Sequence, residues 1–182
     1  ESIKKYKKRI SMGGWKEEIW YCHYRLGLIY QSKNDFEKAL HNWIEASDYS
    51  PNRIENIYQI VKHYRISSRH QLAYFFYKIA VGHMKIEKDF LFMEKQIYDF
   101  GLDYEFSIIA FYVNADIRDV FKCYDRMFKY QYLEYKQFLG ILNNYKFYSP
   151  NIQVEIVHDQ QLIHDIRCKN VNHTYKSVSN FI

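Results

Sequence analysis

The feature that most constrains the fold of this chain is a recurrence at 34 residues: Tyr30 returns as Tyr64, Ala39 as Ala73 and Ala46 as Ala80. A fixed period of this length marks a unit that cannot bury its apolar face alone and is completed by a copy stacked on it. The first unit reads LGLIYQSKNDFEKALHNWIEASDYSP, with Leu26, Gly27, Tyr30, Ala39, Trp43, Ala46 and Pro51 at the diagnostic places. Two antiparallel helices explain the pattern. Gly27 and Ala39 let the backbones approach, Tyr30 and Trp43 fill the flanks, and Ala46 admits the next unit. Pro51 then ends the second helix.

The next unit, Ile54 to Gly82, repeats the scheme with Ile60, Val61, Tyr64, Ala73, Tyr77 and Ala80, and SSRHQ makes its turn. A looser third unit offers Ile108, Phe111, Val120, Tyr124 and Met127, with bulk where the alanines stood. The periodicity predicts helices over 16–32, 35–47, 53–66, 69–82, 104–113, 116–129 and 132–144. Asn34, Asp35 and Asp116 are candidate N-caps, because a short side-chain oxygen there accepts from a free backbone amide. The stretch HMKIEKDFLFMEKQIYDFGLD is too long and too apolar for a repeat turn and is expected to pack back on the helices. After Tyr148, SPN signals a turn, and IQVEIV and LIHDIRC read as a β hairpin around HDQQ. The expected architecture is mainly α: a solenoid of antiparallel helix pairs over 1–148, followed by a short β hairpin or the start of a β domain over 149–182.

Composition narrows the function classes. Tyr 19, Phe 13 and Trp 3 supply broad faces for packing and contact. The net charge of +5 is mild and interspersed, dense only from Lys4 to Arg9, where a solvated helix start competes with a nucleic-acid patch. No nucleic-acid partner is therefore expected. Cys22, Cys123 and Cys168 are odd in number and far apart, which points to reduced thiols and a cytoplasmic setting. No stretch approaches the roughly 20 apolar residues of a membrane span, so no membrane partner is expected. The chain begins with Glu1 and reads as a segment of something longer.

The 34-residue offset is the tetratricopeptide period. Together YKKRISMGGWKEEIWYCHYRLGLIY, SPNRIENIYQIVKHYR, LAYFFYKIA and IYDFGLDYEFSIIAFY resemble the tetratricopeptide-like helical domain that follows the catalytic domain in certain nucleotide-sugar glycosyltransferases of bacteria and giant viruses. The carrying residues are Arg9, the turn from Met12 to Trp15, Glu17, Glu18, Pro51, Arg53, Glu55, Tyr64 and Arg65. The resemblance runs from about Tyr6 to about Tyr112, and SPNIQVEIV with IRCKNVNHTY looks like a degenerate form of the β-rich region that can follow. Asn56 and Ile57 depart from the family pattern, and no Asp-x-Asp for a metal-bound sugar nucleotide is present.

If neighbouring units pack, Glu17 and Glu18 meet Arg53 or Arg65 at a concave mouth beside Trp15. Two readings stay open. The acidic pair complements the helix dipole while Gly13 and Gly14 permit a tight entry, or the cluster Arg9, Trp15, Glu17, Glu18, Arg53, Glu55, Tyr64 and Arg65 lines a groove for a ligand or partner. Adjacent glutamates on a helix point about 100 degrees apart, which disfavours a general acid–base pair. The eight histidines lack metal-ligand spacing, and His158 and His164 share the expected hairpin. No metal, cofactor or catalytic residue is expected.

Three functions follow. The first is a noncatalytic scaffold of a glycosyltransferase-associated protein, binding a glycan acceptor, a transferase domain or a partner protein. The second is a fragment of an active glycosyltransferase whose catalytic domain lies outside this chain. The third is a stand-alone adaptor for a peptide.

Overall fold

A computed structural model describes residues 1–86, 90–130 and 133–148. Among these the protein is mainly helical, with eight α-helices, one π-helical segment and no strand. The expected hairpin over 149–182, with His158 and His164, lies outside the described residues. The helices divide into two compact units, Glu1–Tyr98 and Asp99–Ile182.

The first unit opens with α1 (Ser2–Ser11), a lysine-rich helix that buries no residue. Gly13 and Gly14 follow at φ 65 and φ 109, conformations that an L side chain resists, and they turn the chain into α2 (Lys16–Ser32). Glu17 and Glu18 occupy the first turn of α2, where carboxylates face the positive end of the helix dipole. Asp35 caps α3 (Phe36–Tyr49), accepting from the Lys38 backbone N–H at 3.2 Å. Helices α4 (Glu55–Ile66) and α5 (His70–His83) complete two hairpins: α2 packs on α3, α4 on α5, and α3 and α2 both touch α4.

The recurrence is visible atom by atom. Asn34 and Ser68, 34 positions apart, both take left-handed backbone, at φ 59 and φ 58. Asp35 N–H donates to Tyr30 O, and Arg69 N–H donates to Tyr64 O. Ala39, Ala46, Ala73 and Ala80 are all fully buried. The closest approach is at Gly27, where a Cβ would stand 2.1 Å from the Trp43 indole nitrogen; no side chain larger than hydrogen fits there. Asn34, expected as a cap, instead supplies the left-handed turn, and Asp35 does the capping.

After α5 the chain folds back, as its apolar composition suggested: residues 90–98 lie against α2 and α4 through Phe90, Leu91, Glu94 and Tyr98. The π-helical segment Ile97–Gly101 then leads into the second unit.

In that unit α6 (Leu102–Val113) packs on α7 (Ile117–Lys129) and α8 (Tyr135–Tyr145). Val120, Tyr124 and Met127 face inward as expected, but Phe111 is 55% exposed, and Phe106, Ile109 and Ala110 fill the core of α6. The cause is one added turn residue. Asn114 takes the left-handed place at φ 51, and the cap is Asp116, two positions later, whereas Asp35 directly follows Asn34. Ala115 N–H donates to Ala110 O, so Ala110 holds the position of Tyr30, and an alignment anchored on Val120 slips by one.

Candidate functional site

The residues expected to line one groove are distributed over three places. At the entry to α2, Arg9 pairs with the Glu18 carboxylate and donates to Gly13 O at 2.5 Å, which ties α1 to the glycine turn. Trp15, at the N-cap of α2, is 52% exposed and stands outside this pairing.

The second place is a buried ion cluster beneath residues 90–98. The Arg53 side chain has no exposed surface. Its Nη1 donates to Glu17 Oε2 at 2.8 Å, its Nη2 to Glu55 Oε1 at 2.6 Å and its Nε to Glu55 Oε2 at 3.3 Å. The guanidinium lies 3.5 Å from the centre of the Trp20 ring and 4.9 Å from that of Phe90, between two aromatic faces. Burial works against its charge, but Glu55 and Glu17 outweigh that and raise its pKa above the ordinary arginine value. The cation is permanent. Glu55 is buried as fully and also accepts from Tyr98 Oη at 2.6 Å.

Burial and the neighbouring Glu55 carboxylate push the Tyr98 hydroxyl far up, so it stays a donor; Ile54 N–H donates back to it at 3.3 Å. Glu17, Arg53 and Glu55 thus come together as the sequence suggested. They meet in the interior and not on an open groove wall. Glu17 and Glu18 engage different arginines, as their helical spacing requires.

The third place is the end of α4. Tyr64 is buried, stacked on Phe76 at 5.8 Å and edge-on to Phe36 at 5.6 Å, with Arg69 over its ring at 5.1 Å. It is part of a packed aromatic group, and Arg65 beside it is half-buried.

Sequence reasoning missed the partners that complete the cluster. Leu91 is held by both main-chain groups: its carbonyl accepts from Arg53 Nη1 at 2.8 Å and its N–H donates to Glu17 Oε2 at 3.4 Å. Tyr24 Oη donates to Glu94 Oε1 at 2.6 Å and accepts from Gln59 Nε2 at 3.2 Å. Burial, then the Glu94 carboxylate, raise the Tyr24 hydroxyl well above its usual range. Phe92 rests on Tyr21 with centroids 5.0 Å apart. The available signal was the density of aromatic and acidic residues between Phe90 and Tyr98, which fixes that the segment docks but not which atoms meet.

Among the described residues no group of three or more His, Cys, Asp or Glu side chains is placed to hold a metal. Asp103 forms a two-pronged pair with Arg126 at 2.8 and 2.6 Å. Cys22 and Cys123 are buried thiols whose pKa values are raised, first by desolvation, which makes them poor nucleophiles. No described helix is long and apolar enough to cross a membrane. Comparison with family models, curated proteins and solved structures returns no match.

Proposed function

We propose that the chain is a noncatalytic, tetratricopeptide-like helical-repeat scaffold of a glycosyltransferase-associated protein, holding a glycan acceptor, a transferase domain or a partner protein. The finer architecture belongs to the same proposal: a solenoid of antiparallel helix pairs, with 149–182 a β hairpin or the start of a β domain. The observation that supports it is the repetition of backbone geometry at 34 residues, from the left-handed Asn34 and Ser68 to the buried Ala39 and Ala73. Repeats of this kind serve as binding surfaces whose curvature comes from stacking.

In this reading the contact surface centres on Trp15. Glu17, Arg53, Glu55 and Tyr64 hold the scaffold together, whereas Trp15 remains open on a glycine turn that Arg9 fixes. An exposed indole offers a sugar ring face an apolar platform with an N–H donor beside it.

The test is a glycan array probed with the full chain and with Trp15→Ala. Retention on a subset of glycans, lost in the variant while the unfolding temperature is unchanged, is the expected result. Absence of any retention, together with no complex between the chain and a nucleotide-sugar transferase domain, would overturn the reading.

A second reading, a stand-alone peptide-binding adaptor, is favoured by one specific observation. Glu17 of α2 and Arg53, just ahead of α4, already hold a piece of chain by its main-chain atoms, at Leu91.

A further inference from the structure

We infer that the face of α2 and α4 over the Arg53 cluster is a binding site for a peptide turn from another chain, of aromatic–aliphatic–aromatic–any–acidic chemistry, and that residues 90–94 fill it in cis. This deepens the adaptor reading and rests on it.

The occupying segment shows the recognition chemistry. Main-chain bonding holds a peptide irrespective of sequence, and side-chain contacts add selectivity. Both kinds are present. Arg53 and Glu17 grip the carbonyl and the N–H of Leu91. Phe90 covers the guanidinium, Phe92 lies on Tyr21, and Glu94 accepts from the Tyr24 hydroxyl. The spacing Phe90, Phe92, Glu94 therefore defines what a ligand presents.

The receptor side is preformed. Without the segment, Arg53 keeps three hydrogen bonds to Glu17 and Glu55 and its stack on Trp20, and Tyr24 keeps Gln59. A surface that needs no reordering favours binding.

The segment itself is held less securely. Phe92 is 71% exposed and sits at φ 48, a left-handed conformation that a bulky residue adopts only when its surroundings impose it. A strained, peripheral turn over a rigid floor is a replaceable occupant. Because it is tethered, its effective concentration at the site is on the order of mM, and an external ligand competes against that.

The probe is a fluorescent peptide of residues 90–96, Phe-Leu-Phe-Met-Glu-Lys-Gln, titrated by anisotropy against the full chain and against the full chain carrying Phe90→Ala and Glu94→Ala. The double variant is expected to bind at least ~10-fold tighter than the wild type, since its own segment competes poorly. Within that background Tyr24→Phe is expected to weaken the peptide several-fold. A peptide carrying Glu94→Ala should lose no further affinity from Tyr24→Phe, which identifies the pair directly.

Equal affinity for wild type and double variant, or full additivity in that cycle, overturns the site. No binding of this probe alongside capture of other sequences from a peptide array overturns the inference and leaves the adaptor reading standing. No binding of any peptide overturns both. Should the double variant lose its helical signal, hydrogen exchange on the wild type decides. A Leu91 amide exchanging at least ~10-fold faster than that of Tyr24 in α2 supports a releasable segment, and exchange of both only through global unfolding overturns it.

Discussion

The two units solve helix packing in opposite ways. In Glu1–Tyr98 the backbones meet over residues with almost no side chain, Gly27, Ala39, Ala46, Ala73 and Ala80, and the interior also carries Arg53, Glu55 and Asn56. In the unit from Asp99 the same job falls to volume: Val120, Met127, Phe128, Phe138 and Ile141 are buried, and Tyr124 meets Tyr145 edge-on at 4.9 Å. Packing by close approach specifies shape, so one added methyl is felt at once. Packing by volume accepts exchanges that conserve bulk. The first unit is the more exactly specified and the less tolerant, and its buried ions sharpen both properties.

The largest expected effect comes from removing the central cation. Arg53→Met leaves Glu55 buried without its counter-charge, and breaking a buried pair from one side costs about 3–5 kcal/mol. Adding Glu55→Leu is expected to restore much of that loss, since an apolar replacement of both partners is often neutral. All three tryptophans, Trp15, Trp20 and Trp43, lie in the first unit, so tryptophan fluorescence follows its unfolding separately. A denaturant midpoint for Arg53→Met indistinguishable from wild type would show that the cluster is solvated and not structural.

Next in size, Gly27→Ala drives a Cβ into the Trp43 ring, at 2.1 Å from its nitrogen before any relaxation. Overpacking of this kind costs about 1–3 kcal/mol. Its counterpart in the second unit, Met127→Leu, conserves volume at a fully buried position and is expected to cost less than ~1.5 kcal/mol. Circular dichroism melts of the two variants sharpen the contrast. A Met127→Leu loss equal to that of Gly27→Ala would erase the distinction between shape-specified and volume-specified packing.

The sequence carried the first unit well for the same reason that the unit is intolerant. Small residues at a fixed period have few explanations, and the expected helix over 16–32 coincides with α2. The later helices agree to within a few residues, from Asp116 at the cap of α7 to Tyr145 at the end of α8. Where bulk replaced alanine the period lost its anchor, and Phe111 was placed inward although one extra turn residue rotates it to the surface.

The site was half legible. Spacing brought Glu17, Arg53 and Glu55 together, yet it could not distinguish an open mouth from a sealed interior. That outcome depends on residues 90–98 closing over them, and no local pattern in α2 or α4 encodes a contact with Leu91, 38 positions beyond Arg53.

The smallest expected effect is a dependence of stability on pH, and it again separates the units. His23, His63 and His70 all belong to Glu1–Tyr98, and burial lowers each pKa below the ordinary 6.5. For His23 the hydrogen bond with Asn42 and the nearby Glu45 work against that, and His41 adds to it; for His63 and His70 the nearby Arg69 and Arg65 lower it further. His63 also lies flat on Phe36, with ring centroids 3.2 Å apart, which leaves a proton on it poorly solvated. A lowered folded-state pKa means that the unfolded chain takes up protons first as pH falls. The stabilisation is therefore complete above 6.5 and declines as pH drops below it toward the folded-state values. Asp116, lowered to about 2 chiefly by its hydrogen bond with Arg118, titrates far below this window and lies in the other unit. The denaturant midpoint by tryptophan fluorescence is expected to fall between about pH 7.5 and about pH 5.5, and His63→Gln is expected to reduce that fall. A midpoint that rises on acidification would reverse the sign of the histidine contribution, and with it the view that this unit tolerates only the buried charge it pairs.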